Sequence, residues 1–166
     1  MMLALASPDK LTRVIESDSA EASPSVNANG QLFAYTSNSS GRTEVYVSPI
    51  DGSTRRQVSF NGGTSPRWSR SGRELFFAVT GQLTDSDTLY AALVRGSGQD
   101  ISVESIRPVL TGTNLRGGYG IMPGDTSFVM RAVATDDRRN LPPIFIVQNF
   151  VDELRRLFKT GGGASQ

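Results

Sequence analysis

Arg67, Arg116 and Tyr119 are the residues whose types and positions could act on a ligand. Each falls at or just before a short apolar segment, and together they offer two guanidiniums and one phenol as hydrogen-bond donors. They could grip a ligand, or they could simply be solvated groups along a rim. They cannot form a nucleophile and its base. The sequence contains no His and no Cys, which removes the Ser-His-Asp and Cys-His arrangements, thiolate zinc sites and disulfides. Asp85, Asp87 and Asp100 are too scattered for a calcium loop with alternating oxygen ligands. There is no G-x-S-x-G, no phosphate loop, no G-x-G-x-x-G and no H-R-D. The expectation is a chain without catalytic residues, bound metal or cofactor.

The elements that must position these residues come from an ordinary globular composition. Of 166 residues, 37% are hydrophobic and 20% charged, enough for one domain with a core. Seventeen Lys and Arg nearly balance sixteen Asp and Glu. No field of one sign is available to hold nucleic acid or an acidic membrane surface. The opening MMLALASPDK has too short an apolar stretch for a signal peptide, and no run approaches the length of a membrane span. No nucleic-acid partner and no membrane insertion are expected.

The organisation is a repeat. Ser23 to Ser37 (SPSVNANGQLFAYTS) aligns with Ser65 to Val79 (SPRWSRSGRELFFAV) at an offset of 42 residues, so Ser23-Pro24 falls on Ser65-Pro66 and Gly30 on Gly72. A second match sets Tyr46 on Tyr90 and Gly52-Ser53 on Gly96-Ser97. Farther along, GYGIMPGDTSFVM repeats the first half of the unit with Phe128 on Leu75 and Asp125 on Gly72. A period near 42 is that of a four-stranded propeller blade. The segments 31–37, 43–48, 74–79 and 89–94 are short, rich in aromatic and β-branched residues and bounded by turn formers, as strands are. Asn29-Gly30, Ser71-Gly72 and Asp51-Gly52 supply hairpin turns, while Pro24 and Pro66 are expected at strand starts. Outer-strand remnants are expected at Leu3 to Ala6 and Thr12 to Ile15. Helical spacing of Phe150, Val151, Leu154, Leu157 and Phe158 after Asn149 predicts a short terminal helix over 149–159, followed by a flexible tail over 161–166.

The motif SPRWSRSGRELFF resembles the repeat of TolB-type, WD-repeat-like β-propellers, whose usual core is S-P-x-W-S-P-D-G. Arg70-Ser71 stands where that core has Pro-Asp. The ending PIFIVQNFVDELRRLF resembles the last strand and terminal helix of propellers attached to bacterial serine/threonine kinases. The resemblance implies an all-β, partial β-propeller of four-stranded antiparallel blades with a short C-terminal helix. The propeller fragment would occupy 1–160, with outer strands of a preceding blade at 1–20, blades at 23–59 and 65–110, and an incomplete last blade at 118–148. It implies a non-catalytic module that binds a protein or small ligand on the propeller face, in a periplasmic or extracytoplasmic sensor or TolB-like protein. Arg67, Arg116 and Tyr119 would then lie near the channel mouth, and Trp68 between blades. The alternatives are a substrate-gating propeller of a prolyl-oligopeptidase-type serine peptidase without its hydrolase domain, and a truncated reading frame with no activity. Just over three blades cannot close a ring, since closed propellers typically use about 4–8. Self-association through uncovered blade faces is therefore expected.

Overall fold

The computed structural model describes residues 2–4, 7–81, 87–113, 118–131 and 144–147. The pair β1 (Met2–Ala4) and β2 (Ser7–Thr12) comes first. One four-stranded sheet follows, from β3 (Glu21–Val26), β4 (Leu32–Ser37), β5 (Glu44–Pro49) and β6 (Arg56–Gln57). A second is built from β7 (Thr64–Trp68), β8 (Glu74–Val79), β9 (Asp87–Arg95) and β10 (Ser102–Thr113). The third sheet has β11 (Tyr119–Ile121), β12 (Phe128–Arg131) and β13 (Ile144–Val147). Every pairing is antiparallel and joins strands adjacent in sequence, so each sheet is a meander. The described residues are all-β. The helix expected over 149–159, the tail, and Arg116 lie outside them.

Three equivalent turns close the first hairpin of each sheet. The amide of Asn27 donates to the Leu32 carbonyl, that of Ser69 to Glu74 and that of Met122 to Ser127, at 2.8–2.9 Å. Within each turn a residue in the left-handed region donates back three positions: Gly30 (φ 71°), Gly72 (φ 69°) and Asp125 (φ 58°). Glycine takes this conformation without a Cβ penalty, and Asp is among the few other residues that tolerate it. The turns also stack. The Asp125 carboxylate accepts from the amides of Arg70 (2.9 Å) and Ser71 (3.4 Å), tying the third sheet to the second.

Pro24 and Pro66 are not at strand starts. They sit inside β3 and β7, each after a serine at φ 53°. Between Ala22 and Ser25, and again between Thr64 and Arg67, three residue steps oppose two on the partner strand. Each is a bulge of one extra residue. A proline interrupts ladder bonding, and an edge strand with a bulge is where a sheet can accept one.

The cores lie between sheets. Leu32, Ala34, Val45 and Val47 of the first sheet meet Trp68, Leu75, Phe77 and Ala92 of the second. On the second sheet's other face, Phe76, Ala78, Leu89 and Ala91 meet Tyr119, Phe128 and Met130. Alternation along β8 sends Leu75 and Phe77 one way and Phe76 and Ala78 the other. Fully burying side chains of this size contributes about 1.5–3 kcal/mol each. The first sheet's outward face carries Phe33, Tyr35 and Tyr46, with Val14, Ile15 and Ile50 packed on them. Residues 12–15 were expected as a strand. The strand ends at Thr12 instead, and Val14 and Ile15 serve as the apolar cover of that face.

Candidate functional site

In each sheet the first strand is an edge strand, and β7 packs against β3 and β4 of the sheet before it. Two side-chain bonds fix these edges. The Trp68 indole Nε1 donates to the Ser25 carbonyl at 3.1 Å, and the Tyr119 hydroxyl donates to the Ser65 carbonyl at 2.9 Å. Trp68 is 8% exposed and belongs to the core between the first two sheets, so it is a packing residue rather than an open platform.

Arg67 lies between buried Pro66 and Trp68 but is itself exposed. Its Nη1 donates to the adjacent Pro66 carbonyl at 3.2 Å, and among the described residues no carboxylate forms an ion pair with it. Tyr119 is close enough to feel its charge. Burial pushes the Tyr119 phenol far above its ordinary value of 10.0, and Arg67 pulls it partly back. The phenol is thus neutral at physiological pH and its proton is committed to Ser65. The structure brings Arg67 and Tyr119 together, whereas Arg116 lies outside the described residues. On β3 and β11, Ala22, Ser23, Pro24 and Gly120 are exposed, small and uncharged. Arg67 is thus an exposed guanidinium able to bind an anionic or carbonyl group, while the neighbouring phenol has its proton committed.

A second polar constellation had no obvious signal in the sequence. Glu44 opens β5 at 1% exposure, and its carboxylate accepts from Arg42 Nε (2.9 Å), the Gly62 amide (2.9 Å) and the Ser59 hydroxyl. Ser59 Oγ accepts in turn from the Val45 amide at 2.8 Å, and Arg42 Nη2 donates to the Phe60 carbonyl. A buried carboxylate is tolerable only when paired and hydrogen-bonded in this way. The network pins the crossover from β6 to β7. Beside it lies a cleft of about 380 Å³ lined by Arg42, Thr43, Asn61, Gly62, Thr64 and Thr80, among others. No cluster of three metal-ligating side chains occurs among the described residues.

No protein-family model matches the chain, and no curated protein does either. Solved structures do. The β-propeller domain of the Trilobed protease from Pyrococcus furiosus superposes with a TM-score of 0.57 at 16% identity, over 79% of this chain and 39% of that one. The fold is a β-propeller. The putative TolB of Agrobacterium tumefaciens matches this propeller at a TM-score of 0.55 and 15% identity, over 81% of this chain and 47% of its own. Acylaminoacyl peptidase from Pyrococcus horikoshii matches at 0.53 and 13%, over 79% of this chain and 23% of its own. The TolB-type likeness read from the repeat therefore holds for the fold, and the chain spans less than half the length of each of these neighbours. Each four-stranded sheet is a blade, with β3 and β7 as inner strands.

Proposed function

We propose that this chain is a non-catalytic propeller module that docks a protein or small ligand through the strip formed by its inner strands, within a larger bacterial sensor or TolB-like protein. The observation that supports this most directly is Arg67, an exposed guanidinium without a carboxylate partner among the described residues. Arg67 contacts the ligand in this reading. Tyr119 holds the strand that presents Arg67, and Arg116, three residues ahead of β11, adds a second cation. An extracytoplasmic location and attachment to a kinase are parts of the same reading and rest on the sequence resemblance. The likeness to two peptidase structures favours one further reading, a propeller that screens substrates for a hydrolase. In both, catalysis belongs to another domain, because a chain without His or Cys cannot build the usual acyl-transfer machinery.

Trp68 is the sole tryptophan and adjoins Arg67, so its emission reports on the strip. Short peptides with a free C-terminal carboxylate are expected to give a saturable change, and the same peptides amidated a weaker one. Arg67→Ala should weaken carboxylate binding at least about tenfold, with Arg67→Lys in between. A flat titration with both sets, or equal binding by Arg67→Ala, would remove the strip as a docking site.

A further inference from the structure

Two asparagines of this chain precede a glycine, Asn29 and Asn61. In such a pair the glycine nitrogen can attack the asparagine side-chain carbonyl, because no Cβ on the glycine crowds the approach. Asparagine is for this reason among the thermolabile residues. The nitrogen must lose its proton as the new bond forms. The group that accepts that proton therefore governs how fast the step runs.

The fold treats the two pairs differently, although both asparagines are exposed. Gly30 donates its amide proton to the Asn27 carbonyl at 3.0 Å, and a peptide oxygen is too weakly basic to take it. The Asn29 side chain is also tied down. Its Oδ1 accepts from the Gln31 amide at 3.0 Å and its Nδ2 donates to Gln31 Oε1 at 3.2 Å. Gly62 instead donates to Oε1 of the Glu44 carboxylate at 2.9 Å. That distance lies within the reach of a general base, about 2.6–3.2 Å. Glu44 is buried and held by Arg42 Nε at 2.9 Å and by the Ser59 hydroxyl, so its oxygen stays on the Gly62 amide. On the far side, Gly63 is buried and its amide donates to the Thr43 carbonyl at 3.1 Å. The Asn61 side chain has no hydrogen bond among the described residues and is free to turn toward the Gly62 nitrogen.

We propose that Asn61 is a self-modifying site, converted through a cyclic imide by the Gly62 nitrogen with Glu44 as the base. The nitrogen forms a bond to Asn61 Cγ while its proton passes to the Glu44 carboxylate. The Cγ–Nδ2 bond breaks, and the leaving nitrogen takes that proton to depart as ammonia. Solvent water then opens the imide at either carbonyl, leaving aspartate or isoaspartate, and Glu44 ends as it began. The imide nitrogen carries no proton, so Glu44 loses the Gly62 donor. Isoaspartate also adds one carbon to the backbone between β6 and β7, where the chain passes from the first blade to the second. The inference does not depend on what Arg67 binds.

The test is incubation of the folded 166-residue chain at neutral pH, followed by tryptic mapping and mass spectrometry. Asn61 falls in the peptide from Gln57 to Arg67 and Asn29 in that from Val14 to Arg42, so the two are read separately. The isolated peptide from Gln57 to Arg67, incubated alongside, gives the rate without Glu44. Asn61 is expected to convert in the folded chain at least about tenfold faster than in that peptide, and faster than Asn29. Glu44→Gln keeps an acceptor for the Gly62 amide but cannot take its proton. With a native circular dichroism spectrum it should bring Asn61 down to the peptide rate or below. Should that variant fail to fold, Glu44→Asp withdraws the carboxylate by one methylene and must slow the step likewise. A folded-chain rate no faster than the peptide's, equal conversion of Asn29, or a folded Glu44 variant with the parent rate would each overturn the proposal.

Discussion

Replacing Trp68 by Ala tests how the blades are held together. The indole lies in the core shared by the first two blades and donates to the Ser25 carbonyl of its neighbour at 3.1 Å. Truncating a buried large aromatic costs about 3–5 kcal/mol, part lost transfer energy and part the void left behind. The hydrogen bond contributes about 1 kcal/mol of that, because an intramolecular bond replaces one to water. With a urea slope of about 2 kcal/mol per molar for a chain of this size, the midpoint should fall by about 1.5–2.5 M. Trp68→Phe keeps most of the ring and loses the donor, so it should recover more than half of the loss. The assay is urea unfolding followed by far-ultraviolet circular dichroism, since the substitution removes the fluorophore. An unmoved midpoint would mean that Trp68 carries no packing between blades, and the account of how the sheets are joined would fail with it.

Glu44→Ala should cost about 1–3 kcal/mol. The Gly62 amide and Ser59 hydroxyl lose their acceptor, while Arg42, 47% exposed, is resolvated and adds little. A chemical-denaturation midpoint equal to wild type would refute that. Gly72→Asp should stabilise by about 0.5–1 kcal/mol in thermal melts. It places a carboxylate beside the Ala28 amide as Asp125 does for Arg70, with the bond to a charged acceptor outweighing the left-handed cost of about 1 kcal/mol; a lower melting temperature would contradict the equivalence of the turns. Tyr35 and Tyr119 bear on alkaline stability. Burial raises both phenols above 10.0 in the folded chain, so their contribution is intact below pH 10 and is lost as pH rises through the folded values. Tyr119→Phe should be less stable near neutrality by about 1 kcal/mol through loss of the Ser65 bond, yet decline less steeply above about pH 10, as a pH series of melts would show.

The fold was legible because blades repeat. Gly30 and Gly72 mark the same turn, and the apolar segments that follow them, 32–35 and 75–78, alternate faces as strands must. Asp125 was placed on Gly72 by alignment alone, and the backbone there is left-handed as that placing requires. What was not legible depends on contacts distant in sequence. Nothing near Asp125 announces that its carboxylate caps amides 55 and 54 residues away. Glu44 reads as an ordinary charged strand start until Arg42, Ser59 and Gly62 converge on it. Pro24 and Pro66 suggested strand starts because a missing amide is cheapest there. The bulges offered another way to lose it.

Those bulges bear on how a ring of such blades keeps an open axis. The innermost strands of a propeller converge, and straight β-strands brought edge to edge zip together through their free amides and carbonyls. β3 and β7 each present a left-handed serine and a proline at mid-strand, which breaks the pleat and deletes an amide where a neighbour would pair. The serine–proline pair therefore acts as a spacer. It leaves the free edges of β3 and β7 unable to pair along their full length with another strand.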